Sequence, residues 1–146
     1  MDEKLRPVPA GRGNPNAVAG RFRWSRTVAQ ELKVIADCYD LALYLSQRVE
    51  KFPRSHRYTL GADIERRVQS LLGQLIRAKY ATSPDARAAL LREVNAELEV
   101  LRFQLRLAKD LKALPVKSQG HAAGLVEGVG AQVGGWLKSL QRPEPK

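Results

Sequence analysis

The sequence is poor in the residues from which disulfides, metal sites and catalytic centres are usually built. It contains one cysteine, Cys38, and two histidines, His56 and His121, in 146 residues. A single cysteine excludes an intrachain disulfide, which is compatible with a reducing cytoplasm. Neither histidine stands at a metal-ligand spacing from a cysteine or a carboxylate, and the Glu-x-x-His repeat of di-iron bundles is absent. We therefore expect no metal, no cofactor and no enzymatic activity, and we expect Cys38 to be a buried structural thiol.

Long apolar runs are also missing. The N-terminus lacks the apolar segment that a signal peptide needs. The longest weakly charged stretch, residues 121–137, is rich in glycine and is interrupted by Glu127 and Gln132. It therefore falls short of the ~20 predominantly apolar residues of a membrane span. We expect a cytoplasmic protein without a membrane segment.

Acidic residues are outnumbered by basic ones. The sequence has 15 Asp and Glu against 25 Lys and Arg, a net charge of +10. Such an imbalance makes a compact domain repel itself, and its usual partners are nucleic acid, an anionic membrane or an acidic protein. Arginine carries most of the excess, and its planar guanidinium matches phosphate geometry. The charge alone favours nucleic acid.

Aromatic residues make up only 6% of the chain, and the abundant Leu, Ala, Arg and Glu favour helices over strands. Apolar residues three and four apart predict helices over residues 27–51, 59–80, 84–113 and 118–140. Thr59 is a possible N-cap of the second helix, and Ser83 followed by Pro84 is a strong start signal for the third. Pro53 and Pro115 end the first and third helices. This pattern predicts an all-α, antiparallel four-helix bundle over residues 26–142.

Each predicted helix has one apolar stripe that we expect to face the core. On the first and second helices the stripes consist of Val28, Leu32, Ile35, Tyr39, Ala42, Leu45 and Val49, and of Leu60, Ile64, Val68, Leu71, Leu72, Leu75 and Ile76. On the third helix the stripe consists of Leu91, Val94, Leu98, Leu101, Leu105 and Ala108, widened by Leu107, Leu111 and Leu114. On the fourth helix it consists of Leu125, Val129, Val133, Trp136 and Leu140.

The fourth helix is unusually rich in glycine, and each glycine inside a helix costs ~0.5–1 kcal/mol relative to alanine. Tertiary packing must therefore hold this helix. Glycines four residues apart form a flat face that lets another helix approach closely, either within the bundle or at a subunit interface. The glycines are Gly120, Gly124, Gly128, Gly130, Gly134 and Gly135.

Residues 1–25 are predicted to form a basic extension, because prolines and glycines interrupt every helical period. This composition cannot bury enough apolar area to offset the entropy of ordering, which predicts a disordered tail. The alternative is an arm that folds onto RNA and stacks aromatic rings on bases. The candidate RNA-binding residues of the tail and its edge are Arg12, Arg21, Arg23, Trp24 and Arg26. Residues 143–146 form a short C-terminal tail.

Basic residues cluster on the second and third helices and in the link that precedes them. Arg102, Arg106 and Lys109 lie four and three residues apart and share one helix face. Glutamates neutralise the first half of the third helix, whereas the second half has only Asp110. A solvated face explains any one basic stripe, but this asymmetry favours a phosphate-binding surface. The other basic candidates are Arg54, Arg57, Arg66, Arg67 and Arg77.

Three short runs occur in a fixed order: FPRSHRYTLG at 52–61, LRFQLRLA at 101–108 and VGAQVGGWL at 129–137. Together they resemble Avd, the accessory variability determinant family of diversity-generating retroelements, over about residues 27–142. That family is related to the four-helix-bundle proteins encoded in ribosomal RNA intervening sequences. The resemblance implies a non-enzymatic, cytoplasmic homopentamer that binds the retroelement's reverse transcriptase and template RNA. It also implies a role in mutagenic cDNA synthesis, the first step of mutagenic retrohoming.

The resemblance also suggests roles for particular residues. It implies nucleic-acid or polymerase contacts at Arg54, Arg57, Arg102, Arg106 and Lys109, and structural roles for Gly130, Gly134, Gly135 and Trp136. The alternative function is a general basic scaffold that docks an acidic protein partner and touches RNA only incidentally.

Overall fold

The computed structural model describes residues 26–141, without the side chains of Arg26 and Thr27. The predicted tails at 1–25 and 143–146 lie outside the described residues, as do Arg12, Arg21, Arg23 and Trp24. The described part forms four long helices, α1 (Arg26–Val49), α2 (Ala62–Tyr80), α3 (Pro84–Asp110) and α4 (Val116–Gln141). One helical turn (Arg54–His56) and a π-helical segment (Arg57–Gly61) connect α1 to α2. No strand occurs between residues 26 and 141, and the predicted all-α four-helix fold is confirmed.

The described chain divides into two units between residues 32 and 33, and the packing described below lies within the second unit, at residues 33–141. Within that unit α3 contacts both α2 and α4. All six residues of its predicted core stripe are buried, from Leu91 to Ala108. The 3.5-residue spacing of that stripe keeps one face of α3 pointed into the core along its whole length. This prediction is confirmed.

In the N-terminal half of α1, the prediction of the core face is wrong. Val34, Cys38 and Leu41 are buried, whereas Tyr39 is 56% exposed. Apolar residues lie on two faces of this segment, and neighbouring positions on a helix point about 100° apart. Choosing Leu32 and Tyr39 therefore selected the stripe beside the buried one, whereas Ile35 is partly buried and packs against the core. Cys38 is a buried thiol as predicted, and burial raises its pKa to about 12.

The other helices follow their predicted stripes with three exceptions. On α2 Ile64, Val68, Leu71 and Leu75 are buried and Leu72 packs at the edge of the core, but Ile76 is 41% exposed. On α3 Leu107 and Leu111 are 48% and 43% exposed, so they do not widen the core of this chain. On α4 Val129, Val133 and Trp136 are buried, with Leu125 and Leu140 packed at the edge.

Both ends of α3 are defined by local hydrogen bonds. Ser83 Oγ accepts a bond from Ala86 N at 3.1 Å, which confirms the predicted N-cap. At the other end, Ala113 N donates to Ala108 O at 2.8 Å and Lys112 N donates to Lys109 O at 2.9 Å. These two bonds form a Schellman motif, in which Lys112 takes the left-handed position with a φ of 64°. Glycine is the usual residue there, and strain at such a position is of order 1–3 kcal/mol.

The link between α1 and α2 is helical rather than extended. The chain re-enters helix at Arg54, so the prediction of Thr59 as an N-cap is wrong; its hydroxyl donates to His56 O at 3.5 Å inside the π-helical segment. Arg57 donates from Nε and Nη2 to Phe52 O, at 3.2 and 3.0 Å, and so closes the turn. A Cβ at Gly61 would lie 2.9 Å from Val49 Cγ1, so only glycine allows the link to pack this closely against α1.

The glycines of α4 have more room than Gly61. A Cβ at Gly134 or Gly135 would meet no atom of the described residues within 4 Å, and one at Gly130 would lie 3.9 Å from Leu98 Cδ1. Close packing inside the chain therefore does not require glycine at these positions. A packing role against another subunit stays a prediction.

We expect Leu101→Ala to lower the free energy of unfolding by about 2–5 kcal/mol, because Leu101 is fully buried on α3 and its truncation leaves a cavity. The matched control is Leu107→Ala, the same change on the exposed side of the same helix, which should alter stability by less than about 1 kcal/mol. Urea unfolding followed by circular dichroism measures both. Equal losses in the two variants would contradict this assignment of the core face.

We expect Gly124→Ala and Gly128→Ala each to raise the free energy of unfolding by about 0.5–1 kcal/mol, because a Cβ at either site meets nothing within 4 Å. Gly61→Ala is the control, and it should destabilise the chain because its Cβ would overlap Val49. Thermal unfolding of dilute protein measures the three variants. A loss of stability at Gly124 or Gly128 would show that another surface packs there.

Candidate nucleic-acid interface

The net charge of the described chain comes from two short segments. Residues 48–58 and 106–117 contain eight Lys or Arg and only two Asp or Glu. The remaining described residues, 26–47, 59–105 and 118–141, contain ten basic and ten acidic residues. The sides of the bundle are therefore balanced, and the excess positive charge lies in the segments that end α1 and α3.

These two segments meet at one end of the bundle and enclose a cleft of about 450 Å³. Its cationic lining comes from Arg48 and Lys51 after α1 and from Lys109 and Lys112 at the end of α3. Its apolar lining consists of Pro53, Ala113, Leu114, Pro115 and Val116. None of the described residues that line it is acidic. We refer to this feature, defined by these nine residues, as the basic cleft.

Arg48 is held in place by a stack of aromatic rings. Its guanidinium carbon lies 5.5 Å from the centroid of the Tyr44 ring, and the Tyr44 and His121 rings are 4.6 Å apart. The Tyr44 hydroxyl donates to Ser118 O at 3.5 Å, which ties the stack to α4. Arg48 Nε is buried, and no acceptor among the described residues bonds to it. The guanidinium is thus fixed beside the cleft.

The predicted contacts divide into two groups, and the first lies in the two basic segments. Arg54 and Arg106 are exposed, and neither has an ion pair within residues 28–141. Lys109 lines the basic cleft and lies 3.7 Å from Asp110. Arg57 belongs to the same segment, but its guanidinium is bonded to the Phe52 carbonyl oxygen. Arg54 and Arg106 are therefore the members most free to contact phosphate, whereas Lys109 lines the cleft beside an acidic neighbour.

The second group lies along α2 and α3, and most of its members pair with carboxylates. Arg66 contacts Asp63 at 3.0 Å, and Arg102 contacts Glu99 at 2.9 Å. Arg67 bridges the two helices by bonding Asp63, Glu97 and Gln104. Arg77 is the exception, since it is exposed and forms no ion pair in the described part of the chain. The structure therefore does not bring these arginines together with the basic cleft.

The Asp63 carboxylate is the centre of the polar network between α2 and α3. Hydrogen bonds from Arg66, Gln104 and Arg67 lower the pKa of Asp63 below its usual value, although partial burial acts in the opposite direction. The ionised form is the one that these donors favour. Arg66 and Arg67 are paired with carboxylates in this network, so their charges add little to a basic surface.

Sequence analysis missed Arg48, Lys51 and Lys112, three of the four cations of the basic cleft. A signal for them exists, because both segments place basic residues at a helix C-terminus shortly before a proline. Cations there also stabilise the helix dipole, so the pattern alone does not separate the two roles. What the sequence does not contain is the packing that brings the two helix ends together.

Comparison with known families gives one match, which covers most of the chain. The model of the bAvd-like family matches residues 31–140. The chain belongs to the bAvd-like family. The region that matches the bAvd-like family contains the two basic segments and hence the whole basic cleft. No curated protein matches the chain.

Within the described part, no three His, Cys, Asp or Glu side chains are grouped so that they could hold a metal ion. None of the described helices of this bAvd-like chain is both long and apolar enough to cross a membrane.

We expect Asp63→Asn to destabilise the protein at pH 7 and to lose that effect in acid. The pKa of Asp63 is lowered on folding, so its contribution is complete above its unfolded pKa of about 3.9 and disappears as the pH falls through the folded value. Urea unfolding at pH 7, 4 and 3 measures the difference between variant and wild type. Asp40→Asn is the control, because Asp40 is exposed and has no ion pair among the described residues. A difference for Asp63→Asn that is independent of pH would contradict the network.

Proposed function

We propose that this protein is a non-enzymatic accessory protein of a diversity-generating retroelement. In this role it binds the retroelement's reverse transcriptase and template RNA and supports mutagenic cDNA synthesis from that RNA. Membership in the bAvd-like family is the observation that carries the proposal. The charge distribution supports it, because within residues 26–141 the excess cations are concentrated at one end of the bundle.

The end of the bundle formed by residues 48–58 and 106–117, the basic end, is suited to RNA for an electrostatic reason. A cation that neutralises a backbone phosphate releases a condensed counterion, so a group of unpaired cations gives strong, salt-dependent binding. Arg54, Arg106 and Lys109 are the predicted residues that we assign to this contact. Arg66, Arg67, Arg77 and Arg102 lie on the sides of the bundle, where we propose that they contribute to the polymerase contact.

The sides of the bundle carry apolar residues that suit protein contacts. Val100, Phe103 and Leu107 form an exposed stripe on α3, and α4 exposes a face of glycines. Exposed apolar patches commonly mark protein interfaces. We propose that these faces serve the polymerase contact and the homo-oligomer, a homopentamer by family resemblance, and that the protein acts in the cytoplasm.

The test combines RNA binding with co-purification. We expect Arg54→Glu with Arg106→Glu to weaken binding to the template RNA by about tenfold or more without lowering Tm, because both side chains are exposed and unpaired within the described residues. The matched control is Arg77→Glu with Arg92→Glu, which makes the same change in charge at two exposed arginines on the sides of the bundle. Equal losses in both double variants would contradict a localised RNA surface.

Co-purification of the full chain with the retroelement's reverse transcriptase, with and without nuclease, separates the two partners. We expect a complex that survives nuclease, which would establish direct contact with the polymerase. A complex that dissolves would mean that RNA bridges the two proteins. Absence of any association would overturn the accessory role and favour a scaffold for an acidic protein.

A further inference from the structure

The lining of the basic cleft combines two kinds of residue. Four are cations, and Pro53, Leu114, Pro115 and Val116 are apolar. Val116 is 72% exposed at the mouth, so its side chain is available to a ligand. A volume of about 450 Å³ is in the range of pockets for small molecules and much too small for a nucleic-acid duplex. The cleft therefore suits a ligand with one anionic and one apolar part.

An unpaired nucleotide has this combination of properties. In an A-form duplex the bases are stacked and paired, so only phosphates and groove edges are offered to a protein. A single-stranded segment can instead place one phosphate among cations and lay its base against an apolar wall. We propose that the basic cleft binds one unpaired nucleotide of a single-stranded RNA segment, its phosphate held by Arg48, Lys51, Lys109 and Lys112. This inference rests on the proposed RNA binding and adds the strandedness and the position of the contact.

Arg48 gives the cleft a preorganised phosphate donor. The stack on Tyr44 fixes the guanidinium, and its buried Nε has no acceptor among the described residues. A guanidinium fixed before binding loses little side-chain entropy when it contacts phosphate. The three lysines contribute mobile charges around it.

Lys112 is the second unusual feature. It occupies the left-handed position of the Schellman motif that ends α3, where glycine would be free of strain. A residue with a strained backbone whose side chain also lines a cationic cleft points to a role in binding, because this backbone conformation alone does not stabilise the fold. A purely structural lysine would act on the dipole of α3, and its removal would then lower stability.

Lys112→Gly separates these two roles, because they predict opposite changes in Tm. We expect Tm to rise by about 2–4 °C as the left-handed strain is removed. We also expect the affinity for a labelled single-stranded oligouridine to fall, and the slope of log K against log salt to decrease by a fraction of about 0.7, the value for one phosphate on a single strand, because the other three cations still face that phosphate. Fluorescence anisotropy and differential scanning calorimetry measure the two quantities on the full chain.

Two further variants complete the design. Lys51→Gln removes a second cation from the cleft at an exposed position that the fold does not need, and it should lower the slope by a similar amount. Lys138→Gln is the control, because Lys138 is exposed near the far end of α4 and should leave the slope nearly unchanged. Wild-type protein should bind the single strand more tightly than an RNA duplex of the same length.

The outcomes distinguish the inference from the function on which it rests. Wild-type RNA binding that is unchanged in Lys112→Gly and Lys51→Gln would overturn the cleft and leave the accessory role intact. Equal affinity for duplex and single strand would overturn the unpaired nucleotide. A lower Tm together with weaker binding in Lys112→Gly, and no effect in Lys51→Gln, would show a structural lysine. Absence of any RNA binding by the wild type would overturn the proposed RNA contact itself.

Discussion

The apolar seam of α3 is the constraint on which the rest of the structure depends. Residues from Leu91 to Ala108 are buried along one face while the helix contacts both α2 and α4. The links before and after α3 are short, so α2 and α4 must run antiparallel to it. Arg87 secures the first link by donating to Ala78 O at 2.8 Å and Ala81 O at 2.7 Å. The Schellman motif at Lys112 directs the second link back along the bundle.

This topology explains why the positive charge collects at one end. Antiparallel packing brings the C-termini of α1 and α3 together, and both termini are followed by basic, proline-containing links. Along the sides, arginines meet carboxylates on the same or the neighbouring helix, as Arg67 does with Asp63 and Glu97. A side chain with its own partner is less available to an external phosphate. The position of the basic surface therefore depends on the absence of neighbouring carboxylates as well as on the presence of Lys and Arg.

Much of the fold could be predicted from the sequence, because periodicity and caps are local signals. The core stripe of α3, the Ser83 cap and four helices with most ends within three residues follow from such signals. The face of α1 could not be predicted, since two apolar stripes compete and only packing decides between them. The candidate site was predicted in part: Lys109 lines the basic cleft, whereas Arg48 and Lys112 depend on the meeting of two helix ends. Ion pairs across helices, such as Arg67 with Glu97, are likewise invisible to local spacing.

The excess positive charge of the described residues lies at one end of the bundle and not along its sides. A helix of 27 residues such as α3 is about 40 Å long, whereas the Debye screening length of physiological salt is only about 8 Å. A charge excess confined to one end of such a bundle creates a large electric dipole moment along the helix axes. The field of a nearby polyanion therefore attracts the basic end more strongly than the flanks. Under the proposed function, the tip and the sides of a single bundle are thus separate surfaces, one for a nucleic acid and the other for a protein.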